Sequence, residues 1–96
     1  MRRAARVDAN QAELVQAWRD MGGSVLFLHM VGQGCPDTLL GMAGEMELAE
    51  IKSAKGKLNR EQREWWAAWR GRPPRIVRSV EDLVALAEEL RGRGEV

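Results

Sequence analysis

Two runs, Asp37 to Gly41 and Glu45 to Ser53, flank the tight segment Met42-Ala43-Gly44, and this spacing constrains the middle of the chain more than any other feature. Strand-length runs on either side of a glycine-containing turn predict an antiparallel hairpin. The Glu, Met, Leu and Ala of the second run also suit a helix, so periodicity alone leaves both open. As a strand, alternation puts Met46, Leu48, Glu50 and Lys52 on one face and Glu45, Glu47, Ala49 and Ile51 on the other.

Within that hairpin, Asp37, Glu50 and Lys52 occupy positions where apolar side chains would pack better. With Asp37 opening one strand and Glu50 toward the end of the next, the turn brings the two carboxylates together across the pair, and Lys52 follows on Glu50's face. Two buried like charges repel unless something positive sits between them. Magnesium or manganese suits that role, because hard divalent cations take oxygen ligands, keep several waters and accept a phosphate oxygen. That is phosphodiester-hydrolysis chemistry, with a lysine able to stabilise the developing charge. The plain alternative makes Asp37 a turn residue after Pro36, with Glu50 and Lys52 solvated. Spacing does not choose between them.

Around the hairpin the chain is punctuated clearly. Asp8 and Gln11 resemble a capping box ahead of Leu14, Trp18 and Met21, which recur at helical spacing up to Gly22-Gly23. Ser24 to Met30 is short, apolar and bounded by glycines, which predicts a strand, and "VGQGCP" is a loop. "SAKGK" is a basic turn. Asn59 with Gln62 forms a second capping-box pattern, opening a helix through Trp69 that Gly71 and Pro73-Pro74 close. A brief strand over "RIVRS" precedes a helix capped by Ser79, with Leu83, Leu86, Ala87 and Leu90 as its apolar stripe. The order is αβββαβα, an α/β (α+β) chain.

Composition bounds the rest. With 96 residues, 45% hydrophobic and 30% charged, the chain fits one domain over 1–96. Fifteen basic and 14 acidic residues nearly cancel, but basic residues crowd 1–6, 52–63 and 70–78. That distribution permits an anionic partner. The single cysteine, Cys35, cannot form an intrachain disulfide. Apolar runs such as Val25 to Leu28 are far too short for a membrane span, and no apolar segment follows the basic Met1 to Arg6 as a signal peptide would require. A cytoplasmic protein with no membrane association is the expectation.

"GCPD" ending at Asp37, "EIK" from Glu50, "GKLNREQREWWAAWR" and "RIVRSVEDL" together resemble the PD-(D/E)XK nuclease superfamily, and most its VRR-NUC family of phage, bacterial and eukaryotic nucleases. The resemblance covers nearly the whole chain. It implies a restriction-endonuclease-like core, a mixed central sheet flanked by helices, and a magnesium- or manganese-dependent endodeoxyribonuclease. Carried over by position, Asp37 and Glu50 would be metal ligands, the Ile51 carbonyl a backbone ligand and Lys52 the catalytic lysine. Gln62 matches the glutamine of the family's following helix. The family's first-helix glutamate at the metal site corresponds to Glu13, with Gln11 and Gln16 close by. The family's name motif survives as Val77-Arg78-Ser79, making Arg78 a candidate phosphate contact. Small stand-alone members resemble homodimeric Holliday-junction resolvases of DNA repair and recombination, implying branched DNA as substrate, a homodimer, and a bacterial or phage-infected cell as setting.

Several residues carry two readings. Gln62 either completes the cap with Asn59 or also serves the catalytic water. His29, just ahead of the loop to Asp37, is either a substrate contact and proton carrier or a structural histidine. Lys55, Lys57, Arg60 and Arg63 suit a grip on a phosphate backbone or a solvated surface. Cys35 lacks a His-Asp arrangement to activate it, which disfavours a thiol nucleophile. Trp65 and Trp69 share a helical face and are expected on the sheet, leaving Trp66 for a core edge, a base or, as favoured, a dimer contact. The same chemistry also serves a nickase, a flap nuclease or a restriction-like enzyme. A non-catalytic nucleic-acid-binding module and a Trp-rich interaction subunit are the readings from other classes.

Overall fold

The hairpin forms at the centre of the structure, a computed structural model that describes residues 10–94. Its strands are β2 (Thr38–Met42) and β3 (Glu45–Ile51), registered from Thr38↔Ala49 to Met42↔Glu45. The turn has two residues rather than three. Ala43 and Gly44 both take positive φ (56° and 80°), as a type I′ turn requires, and this draws Met42 into the ladder as the last pair.

Strand β1 (Ser24–Phe27) adds antiparallel to β2, and β4 (Arg75–Val77) adds parallel to β3, giving a mixed sheet ordered β1-β2-β3-β4. Helices α1 (Gln11–Asp20), α2 (Arg60–Ala68) and α3 (Val80–Gly94) complete an α+β architecture in the expected αβββαβα order. The strand expected over Ser24 to Met30 stops at Phe27. Leu28 still donates its N–H to Asp37 O at 2.7 Å, but the Val31 N–H then turns back to Leu28 O, and Gly32, Gln33 and Gly34 follow with positive φ. Gly34 is required where it stands, because a Cβ there would lie 2.3 Å from the Glu61 carbonyl oxygen of α2.

One sheet face is the core. Leu40, Met42, Ala49, Ile51 and Val77 meet Leu14, Val15 and Trp18 of α1 and Leu83, Leu86, Ala87 and Leu90 of α3. Trp18 is fully buried and donates its indole N–H to Ser24 O at 3.1 Å, which satisfies its one polar atom. The Ser79 Oγ accepts from the Asp82 N–H, capping α3 as its sequence predicts. The expected Asp8–Gln11 box is different: Asp8 and the basic residues before it lie outside the described residues, and the N-cap position of α1 is Asn10. Its side chain makes no cap bond and instead donates to Lys52 O and Arg78 O, tying α1 to the ends of β3 and β4.

Glu47 points into the core face, yet its side chain is only 1% exposed. Three arginines from different elements explain this. Arg75 Nε lies 2.8 Å from it, Arg93 Nη1 3.2 Å and Arg72 Nε 3.5 Å, and Glu89 also pairs with Arg75 and Arg93. A buried carboxylate is tolerated when it is paired and hydrogen-bonded this fully. The opposite sheet face is covered more loosely. Helix α2 lies over it without a single fully buried residue.

Candidate active site

The β2–β3 register places Asp37 and Glu50 side by side, one step beyond the Thr38↔Ala49 pair. Thr38 locks this end of the hairpin by donating its buried hydroxyl to Ala49 O at 2.9 Å. The Asp37 Oδ2 accepts the Ile51 N–H at 3.2 Å, so this carboxylate is held against the end of β3. In a strand one residue's N–H and C=O face the same edge, which puts the Ile51 carbonyl on Asp37's side too.

Glu50 is only 2% exposed. Its Oε2 accepts from Gln62 Nε2 at 2.8 Å and lies 3.8 Å from Lys52 Nζ, whereas Oε1 is enclosed without a donor. Burial, next the negative charge of Asp37 and then a side-chain hydrogen bond with Asp37 raise the Glu50 carboxyl to about 8, with Lys52 pulling the other way. A buried acid in this state prefers to be protonated unless a cation joins it.

Gln62 completes the expected cap and also touches the acidic pair. Its Oε1 accepts the Asn59 N–H at 2.8 Å while its own N–H donates to Asn59 Oδ1, closing the capping box, and its amide nitrogen then reaches Glu50. Helix α2 is thereby started and aimed by the same side chain that touches the acidic pair.

Other expected residues fall elsewhere. Glu13 is exposed on α1, and among the described residues no three His, Cys, Asp or Glu side chains converge as a metal-binding group. Glu13 is therefore not brought to the Asp37–Glu50 pair. The Arg78 Nη1 donates to the carbonyls of Ser53 and Gly56 at 2.6 Å, so its guanidinium braces the basic turn from inside. His29 stands edge-on to Phe27 with its Nδ1 enclosed and unpartnered. Lys55 and Lys57 are exposed on the turn, Arg60 pairs with Glu64, and Arg63 donates to Leu58 O. The Cys35 thiol is pushed up by burial and by Glu50 and Asp37, which keeps it protonated and unsuited to attack.

The tryptophans meet the expectation in part, since Trp69 lies beside the sheet and also stacks on Trp65. Trp65 and Trp69 stack on each other, 4.9 Å apart and 15° from parallel, and Trp69 borders a cleft with Leu39, Met46 and Leu48 of the sheet. Trp66 is half-buried with its Nε1 enclosed, whereas the exposed apolar residues include Leu26, Phe27, Met30 and Val31. The tether that sequence reasoning missed is Asn10. An asparagine before a helix signals a cap, and nothing local indicates that it reaches the ends of two strands instead.

The residues present fit a divalent cation. Two adjacent carboxylates, one of them with an enclosed oxygen without a donor, and a backbone carbonyl on the same edge offer only oxygen donors, and magnesium commonly uses one or two carboxylates with waters and a substrate phosphate. Compared with known proteins, the chain matches no family model, no curated protein and no solved structure. No helix among the described residues is long and apolar enough to cross a membrane.

Proposed function

We propose that this chain is a PD-(D/E)XK nuclease of VRR-NUC type, a magnesium- or manganese-dependent endodeoxyribonuclease acting on branched DNA in the cytoplasm of a bacterial or phage-infected cell. The observation that carries this reading is the buried Glu50 carboxyl beside Asp37, with one oxygen lacking a donor and Lys52 at 3.8 Å from the other. Asp37, Glu50 and the Ile51 carbonyl would hold the cation. When bound, it supplies Lewis acidity toward a phosphodiester and the water that attacks it.

The chain's own residues do the remaining work. Lys52 presents an ammonium where charge develops on the phosphate, and its side chain is only 15% exposed, so water screens it weakly. Gln62 fixes the orientation of Glu50 from the start of α2. Lys55 and Lys57 offer exposed charge to the DNA backbone, on a turn that Arg78 keeps rigid from within.

The homodimer belongs to this reading, with its contact moved from Trp66 to β1. This strand is a sheet edge with no charged residue, and its Leu26 and the following Met30 and Val31 are 56%, 80% and 62% exposed. Natural sheets protect such edges with charge, proline or a cover. Antiparallel pairing of two β1 edges provides the cover and a twofold axis.

The direct test incubates the protein with a four-way junction, a matched linear duplex and a single strand, in magnesium, manganese or EDTA, beside Asp37→Ala. Paired symmetric cuts in the junction, lost in EDTA and in Asp37→Ala, are expected. Metal-dependent cutting of duplex and single strand as well would keep the nuclease and remove junction preference. No metal-dependent cutting of any of them would leave a non-catalytic binding module.

A further inference from the structure

Helix α2 begins at Glu50 through Gln62 and carries Trp65 and Trp69 onward along the sheet. On β3, Leu48 and Met46 share the face of Glu50, and at ~3.3 Å per residue Met46 lies about 13 Å along the strand from it. The cleft between Trp69 and this face, about 180 Å³, is lined by Leu39, Met46, Glu47, Leu48 and Arg72. Trp69 forms its aromatic wall.

That indole is fixed in place. One ring face stacks on Trp65, the Nε1–H donates to Arg72 O at 3.1 Å, and Gly71 makes room for it, since a Cβ there would come within 2.8 Å of Nε1. Trp69 nonetheless stays 43% exposed, and Met46 across the cleft is 62% exposed. Packing alone does not account for a rigid indole left open to solvent. One cationic side chain lines the cleft: Arg72 is 59% exposed although it reaches Glu47.

We propose that this cleft is a base-stacking site, in which Trp69 and the Met46–Leu48 floor hold an unpaired nucleobase of the strand bound at Asp37 and Glu50, with its phosphate against Arg72. The inference rests on the nucleic-acid reading of the acidic site. A rigid aromatic face beside cationic side chains is what sequence-tolerant single-strand recognition uses, because every base has a π-face to stack. In a continuous duplex those faces are hidden. The cleft therefore selects DNA with unpaired bases close to the scissile phosphate, as at a branch point or flap. The separation from Glu50 corresponds to about four nucleotides at the ~3.4 Å rise of a stacked strand.

The test is anisotropy of labelled oligothymidine and of a labelled blunt duplex in EDTA, where no cleavage occurs. Trp69→Ala is expected to weaken single-strand binding about tenfold, the loss of roughly one stacked base. Trp69→Phe should retain most of it, and duplex affinity should not change. Met46→Glu, at an exposed position, should weaken single-strand binding at least as much. Equal single-strand binding by the native protein, Trp69→Ala and Met46→Glu would overturn the stacking site while leaving the nuclease reading intact. Loss of self-association in Trp69→Ala by sedimentation, with single-strand binding unchanged, would assign the cleft to a protein contact instead. No single-strand binding by the native protein would also overturn the stacking site, whereas the nuclease reading stands or falls on metal-dependent cleavage.

Discussion

Gln62 joins the start of α2 to the acidic pair: its Oε1 accepts the Asn59 N–H and its Nε2 donates to Glu50 Oε2, each at 2.8 Å. The two contacts can be separated by substitution. Gln62→Glu keeps an acceptor for the capping box but sets a carboxylate against Glu50, so DNA cleavage should fall by at least tenfold, with a stability loss of about 1 kcal/mol. Asn59→Ala removes the cap, costs about 1 kcal/mol and leaves the Glu50 contact in place, so most activity should persist. Thermal melts and cleavage rates on the two variants check this.

Glu50 gives the protein a pH dependence with a definite sign. Its carboxyl is raised from 4.5 to about 8 by burial and by Asp37, so between those values the folded state binds more protons than the unfolded. Stability in EDTA should therefore fall as pH rises from about 4.5 to 8. Glu50→Gln should flatten this slope, and melting temperature against pH reads it. A divalent cation should oppose the fall in the native protein by favouring the ionised pair.

Glu47 should matter for stability and not for chemistry. Removing it leaves Arg72, Arg75 and Arg93 facing the space of a buried carboxylate, although their partial exposure lets them regain water. Glu47→Ala should cost about 2 kcal/mol in urea denaturation. Glu89, held ionised by its hydrogen bonds to Arg75 and Arg93, is more exposed and should cost less than 1 kcal/mol when replaced by alanine.

The open edge of β1 predicts concentration-dependent association. Leu26→Lys adds the charge this edge lacks and should shift sedimentation toward the monomer without lowering the melting temperature at low concentration. Trp66→Ala should not mimic it, because Trp66 is half-buried.

The hairpin, the αβββαβα order, the α3 stripe and the pairing of Asp37 with Glu50 were legible in the chain because each follows from a local period or a short turn. Contacts spanning distant segments were not. The recruitment of Arg78 to the turn carbonyls, the placement of Asn10 on two strand ends and the burial of Glu47 by three arginines depend on where helices dock, which no local pattern encodes. The same limit applies to Glu13, whose register on α1 leaves it in solvent. Trp65 and Trp69 show a third case: their spacing predicts a shared face, but a stacked indole pair satisfies that spacing as well as packing on the sheet does.

Asp37 and Glu50 should together hold a divalent cation beside bound DNA. Electron paramagnetic resonance of a manganese titration, with the native protein or Glu50→Gln bound to a four-way junction, tests it most directly. Manganese uptake by the native complex beyond that of the junction alone is expected, and it should be lost in Glu50→Gln. Equal uptake by the two complexes would contradict it.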